Sequence, residues 1–314
     1  CDTSFPRSIL GDPEFIERVS KLDIEMFAEL GAPIDSALAE RLRRAGFRHI
    51  QVGVESLSAP SLRRMAKPAD VAANIWALRS AYEHGIAVGY NLIADFPGGD
   101  DEELAAMIAQ LPKLFHLPPP TALVPFQLHR GSPVHRDPRL FGVFDIRPHR
   151  FYDVFHQCGV GACLPAFYFD FEAALRPSAA ALEELHSVCC HWHRRYDPRD
   201  SLLTLKAKPN GARVIDRRGG LRRVHLLSPA AARVLVACRT PVRLECMAGA
   251  EDHSLVQAVF EELLDAGLIW SDGCRVLALP VSDESREPPP IDGLESAFAP
   301  VRRSRRPARS DPSH

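Results

Sequence analysis

Apolar and polar positions along the chain alternate between two periods, one of strands and one of helices. Residues 22–30 (LDIEMFAEL) alternate, as a half-buried strand does. Residues 35–45 then read as a helix with Ile34, Leu38 and Leu42 on one face and Gly46 as its stop. Residues 47–55 form the next strand. Ser58-Ala-Pro-Ser opens a further helix, with proline near its first turn. Residues 69–84 make a longer helix closed by Gly85. Residues 86–96 predict a third strand, with Pro97-Gly98-Gly99-Asp100 as its turn. The helix over 100–114 carries Asp100, Asp101, Glu102 and Glu103 at its positive end. Residues 121–129 (TALVPFQLH) predict a fourth strand, ended by Arg130-Gly-Ser-Pro. Strands separated by helical crossovers argue for a parallel sheet. Four strands do not close a barrel, so the expected fold is a partial parallel (β/α) barrel. The chain begins with Cys1 rather than Met, and further N-terminal sequence is expected.

Residues 137–171 are rich in Pro, Phe, Tyr and His and show no clean period. They are expected to cover one end of the barrel. Residues 176–196 read as a helix through Leu182, Leu185, Val188, Cys189 and Trp192. Short strands at 202–205 and 213–216 flank Pro209-Asn210-Gly211, a hairpin signal. A third is expected at 224–227. Ser228-Pro229 caps a helix reaching about Cys238. A second helix covers 254–266, and strands at 268–270 and 275–279 flank Asp272-Gly273. The expected organisation is a partial barrel over 1–135, a covering extension and helix over 136–200, a winged-helix-like α+β module over 201–281, and a disordered Pro-, Ser- and Arg-rich tail over 282–314.

Bulk properties exclude several classes. The net charge of −2 gives no general attraction to nucleic acid or membranes. No stretch approaches the roughly 18 apolar residues of a membrane span, and no signal pattern opens the chain. Eight cysteines in 314 residues are too few for a disulfide scaffold. They read as reduced thiols, which places the protein in the cytoplasm.

The stretches QVGVESLS, LRRM and GYNLIADFPGGDDEE, followed by VPFQLHRGSPVH, resemble the second half of a radical S-adenosylmethionine (SAM) barrel. The likeness is nearest to cobalamin-binding radical SAM proteins that mature ribosomally made peptides. AFYFDFE and the block from DRR to LIWSDG resemble the same group, so the likeness covers about 22–279. The resemblance implies radical chemistry on a precursor peptide, with SAM, a 4Fe-4S cluster and, in that subgroup, cobalamin. Such a cluster sits on a Cys-x3-Cys-x2-Cys loop, and this sequence has none. Asp95 stands where the group usually has Gly, and Gly99 where it has Glu. The resemblance therefore implies either an enzyme portion whose cluster ligands lie outside this chain, or a degenerate homologue that binds a precursor peptide and scaffolds a partner enzyme. An iron-free parallel-barrel enzyme, such as a lyase, is a third reading.

By the same resemblance Glu55, Ser56, Asn91, Ile93, Phe96, Gly98 and Gln127 would face SAM, and His129 and Arg130 the substrate. Each has a plainer reading. Glu55 could pair with Arg63 or Arg64, because a buried acid is rarely without a partner. Asn91 could make a structural hydrogen bond. Ile93 and Phe96 could be core. Pro97-Gly98-Gly99 is foremost a turn, since four acids follow it and would repel an anion. His129 could be a satisfied structural histidine, while Arg130 suits a carboxylate. His186, Cys189, Cys190 and His191 are the densest metal-like group, but adjacent cysteines diverge by about 100° on a helix. No metal site is assigned. For 201–281, peptide binding by strand addition, a structural lid and DNA binding remain open. Arg213, Arg217, Arg218, Arg222 and Arg223 favour DNA, while the acidic second helix argues against it.

Overall fold

The computed structural model describes residues 5–153, 166–247 and 253–282. β1 (Met26–Gly31), β2 (Phe47–Gly53) and β3 (Ala87–Gly89) pair in parallel in that order. β4 (Asn91–Ile93) and β5 (Ala122–Val124) form a second parallel pair. A single bridge between Glu55 and Leu92 joins the two sets. The third predicted strand is thus split at Tyr90, whose ring is buried and whose hydroxyl donates to Pro118 O at 3.1 Å. The first strand begins at Met26 rather than residue 22. No closed sheet forms among the described residues.

Helices α1 (Arg7–Leu10) and α2 (Pro13–Ser20) precede β1, while α3 (Ser36–Arg44), α4 (Ala59–Arg64), α5 (Val71–Glu83) and α6 (Asp101–Gln110) occupy the connections. Their starts follow from side-chain caps. Asp35, Ser58, Asp70 and Asp100 each accept the N–H three residues on, satisfying a donor the helix cannot.

The fourth predicted strand is corrected most. Only Ala122–Val124 lies in the parallel sheet. β6 (Leu128–His129) leaves it and pairs antiparallel with β8 (Tyr168–Ala173), which pairs antiparallel with β7 (Val143–Pro148). This small sheet occupies the region that showed no clean period. A short helix, α7 (Pro133–Arg136), precedes β7.

The helix Ala179–Arg195 packs Leu185, Cys189 and Trp192 inward, and Trp192 Nε1 donates to Leu117 O at 2.9 Å. Beyond it, β9 (Leu203–Lys208), β10 (Gly211–Asp216) and β11 (Arg223–Leu227) form an antiparallel meander. The helices Pro229–Ala237, Leu244–Met247 and His253–Asp265 follow. β12 (Val242–Arg243), β13 (Ile269–Ser271) and β14 (Arg275–Ala278) form a sheet in the order β12-β14-β13. β15 (Val281–Ser282) returns to pair with β9. The expected tail lies, from residue 283, outside the described residues.

One apolar core runs from Leu10 to Val281 and joins the N- and C-terminal halves. Polar contacts cross the same junction. Buried Arg79 donates to the carbonyls of Ala278 and Arg239, and Arg239 pairs with Glu83 at 2.7 Å. His116 bonds Leu279 O at 2.8 Å. Arg218 reaches Asp216 at 2.8 Å, Lys113 O at 2.6 Å and Gly267 O at 2.9 Å.

Candidate functional site

The residues that follow β4 and β5 open onto a cleft of about 1000 Å³. Asp95, Pro125, Phe126 and Gln127 come from the carboxyl ends of the two parallel strands. That is where parallel α/β sheets place their ligands. Arg147 and His149 enter from the end of β7, Tyr168 to Glu172 from β8, and Arg176 from the segment before the helix Ala179–Arg195. Asp95 Oδ1 accepts the Phe126 N–H at 2.6 Å, which fixes the chain as it leaves β5. The side of the cleft is aromatic: Phe126 meets Phe171 edge-on at 5.7 Å and Phe96 at 4.8 Å. Charges of both signs line it, and several are paired. Arg147 lies 3.1 Å from Asp145, and His149 lies 3.7 Å from Asp170.

Of the residues that the resemblance would place against SAM or substrate, Gln127 lines this cleft, where it is exposed, and Asp95, also at a strand end, lines it too. Glu55 takes a left-handed backbone at φ 59°, which costs a non-glycine residue about 1 kcal/mol. Its carbonyl accepts from Ile93 N at 2.8 Å and so bridges the two parallel sets. Its carboxylate pairs with Lys67 at 2.9 Å, not with Arg63 or Arg64. Ser56 is buried; its Oγ accepts the Ser58 N–H at 3.1 Å. Asn91 is half-buried. Phe96 is the centre of a small second core with Leu128, Val134 and Val143, against which Ile93 packs. Gly98 takes φ 86° and donates its N–H to Leu175 O at 3.0 Å.

His129 and Arg130 are turned to β8. The His129 ring stacks on Phe167 at 5.3 Å. Arg130 Nε donates to Ala166 O at 2.6 Å, and the guanidinium lies 5.2 Å over Phe169. Arg64 instead meets Glu103 at 2.6 Å, and Glu103 also accepts from Ser58 and Ser61. Burial works to raise the Glu103 carboxyl, but the hydrogen bonds from Ser58, Ser61 and Arg64 outweigh it and hold the carboxyl below the usual range. This network fastens α6 to α4.

The chemistry of the donors does not suit an iron–sulfur cluster, which needs thiolates. Among the described residues no group of three or more His, Cys, Asp or Glu could hold a metal ion. Cys189 and Cys238 are buried, and burial pushes their thiols up to about 12 and about 11, away from thiolate. The space touching Ser56, Ile93 and Phe96 is about 10 Å³, room for about one water. A nucleoside does not fit there.

The residues that sequence reasoning missed are Arg147, His149, Asp170, Glu172 and Arg176. The alternation in YFDFEA was the available signal for β8, but it was hidden in an aromatic-rich stretch.

Fold and cleft together define an α/β protein with its open site at the carboxyl ends of parallel strands. No family model matches the sequence, and no curated protein matches it. Three solved structures overlap it weakly. The archaeal Methanocaldococcus infernus Elp3, with an N-terminal deletion, is 14% identical over 67% of this chain and 58% of that one, with a TM-score of 0.33. Coproporphyrinogen III oxidase (HemN) from Escherichia coli, a radical SAM enzyme, is 12% identical over 85% and 71%, with a TM-score of 0.34. The cobalamin-dependent S-adenosylmethionine radical enzyme OxsB is 14% identical over 83% and 36%, with a TM-score of 0.27. The chain thus spans little more than half of the Elp3 structure, and overlaps this weak do not establish a common fold. Among the described residues no helix is long and apolar enough to cross a membrane.

Proposed function

We propose that this chain is the substrate-holding portion of a radical SAM-type protein that acts on a ribosomally made peptide. The ligands of the cluster and of SAM then lie outside the described residues. The observation that carries this reading is the open cleft at the ends of β4 and β5. It is built from the VPFQLH and FYFDFE stretches that resemble the peptide-maturing proteins, while Ser56, Ile93 and Phe96, three of the positions resembling SAM contacts, border a space of only about 10 Å³. No chemical step is assigned to this chain's residues. Their part is to bind and orient a peptide.

The closed space at Ser56, Ile93 and Phe96 also favours a second reading, a peptide-binding homologue without chemistry of its own. The C-terminal half supports peptide capture in either case. Its helix–strand–helix–helix–hairpin order and β12-β14-β13 sheet suit a winged-helix-like module. β11 is the edge of its sheet and exposes Val224 and Leu226, which suits addition of a peptide strand.

The test is fluorescence anisotropy of the labelled precursor peptide encoded beside this protein, followed by photocrosslinking through a benzophenone in the peptide. Crosslinks on residues 125–127 and 168–176 are expected. Absence of binding, or crosslinks confined to other surfaces, rejects the cleft. Equilibrium dialysis with SAM tests what the two readings share: this chain is expected to retain none, and retention would overturn the closed space at Ser56, Ile93 and Phe96.

A further inference from the structure

We infer that Arg176 is the carboxylate anchor of the cleft and makes it selective for an acidic peptide; this rests on the peptide reading given above. Arg176 lines the cleft, and its guanidinium carbon lies 4.3 Å over the centre of the Phe171 ring. A guanidinium held over a ring still carries its five N–H donors in its own plane, where a carboxylate can accept two of them. The other basic residues of the cleft have contacts of their own: Arg147 pairs with Asp145, the His149 ring lies 3.7 Å from Asp170, and Arg150 is partnered as well. Arg176 has no carboxylate partner among the described residues. The groups of opposite sign that share the cleft are Asp95, Asp153, Asp170 and Glu172.

The backbone on either side of Arg176 is fixed. Leu175 O accepts from Gly98 N at 3.0 Å. Ser178 N donates to Asp101 Oδ1 at 2.6 Å, and that hydrogen bond holds the Asp101 carboxyl below its usual range. Pro177 restricts the residue before it. The Pro97-Gly98-Gly99 turn therefore serves the site indirectly: it holds the segment that presents Arg176. Phe171 is in turn braced by Phe126, and Phe126 by Phe96. A preformed, stacked arginine loses less freedom on binding than a mobile one.

The test uses two probes, acetyl-Glu-Phe-amide and acetyl-Gln-Phe-amide, titrated into the full chain and followed by NMR of the arginine Nε–Hε resonances. The Glu probe is expected to bind about two- to fivefold more tightly than the Gln probe, the upper part of the range for an exposed charge pair. It should shift one resonance that disappears in Arg176→Ala. Arg176→Lys, which keeps the charge and loses the fork, should retain part of the preference. Arg176→Ala should bind both probes equally. Arg176 is exposed, so these variants are expected to fold, and unchanged melting temperatures check it. If both probes bind the wild type equally, with cleft resonances shifting and Arg176→Ala without effect, the anchor is overturned while the peptide cleft stands. If neither probe shifts any cleft resonance at millimolar concentration, both are overturned. Inorganic phosphate serves as a third probe. If it binds as well as the Glu probe, the site is a general anion site and the selectivity for a peptide carboxylate is overturned.

Discussion

Acidification should pull the two halves of the molecule apart at His116. This imidazole is 1% exposed and lies between the segment after α6 and the turn joining β14 to β15. Its Nε2–H donates to Leu279 O, while Nδ1 is buried without a partner. A second proton would sit on Nδ1 with nothing to accept it. Burial is the first cause that moves its pKa from 6.5 down to about 3; Arg218 adds to it, and the Leu279 carbonyl and Asp216 oppose it. The folded value lies below the unfolded one, so the unfolded chain takes up the proton first. The stability contributed by the neutral ring is complete above pH 6.5 and is lost as pH falls from there towards 3. From pH 6.5 to pH 4 that is about 2.5 units at about 1.4 kcal/mol each, or about 3 kcal/mol. His116→Gln keeps a donor for Leu279 O and removes the titration. Urea unfolding at pH 7 and pH 4 should show the wild type losing about 3 kcal/mol more than His116→Gln. Asp216, itself held below the usual carboxyl range, loses stability in the same direction, and the comparison subtracts the part of that loss that does not depend on His116. Parallel losses in the two proteins would refute the reasoning.

Three further outcomes are expected. Arg79→Ala should cost about 3–5 kcal/mol, because it strands the carbonyls of Ala278 and Arg239 at the junction of the two halves; a loss under about 1 kcal/mol in chemical denaturation would show that the junction contributes little. Gly211→Ala should destabilise by more than about 1 kcal/mol, since φ is 128° and the new Cβ would collide with Leu227 O across β10 and β11; thermal unfolding checks it. Glu103→Ala should cost about 2–3 kcal/mol by leaving Ser58, Ser61 and Arg64 without their shared acceptor. Restoring the carboxylate one methylene shorter, with Glu103→Asp, should recover only part of that loss.

The sequence by itself determined that parallel strands alternate with helices from β1 to β5, though not that the third predicted strand splits at Tyr90 into β3 and β4. Period and caps are local signals. Ser58, Asp70, Asp100 and Ser228 announce their helices because each caps an N–H only three residues away. The hairpin at Asn210-Gly211 was legible for the same reason. Tertiary structure alone decided the site. β6 leaves the parallel sheet because it pairs with β8, some forty residues further on, and pairing at that range leaves no local period. Whether Glu55 meets Arg64 or Lys67 depends on where α4 and α6 cross, and Glu103 takes the arginine. The resemblance pointed to strand ends, and the cleft does lie at two of them. Its charges come mainly from β7, β8 and Arg176, which only folding brings to Asp95 and Gln127.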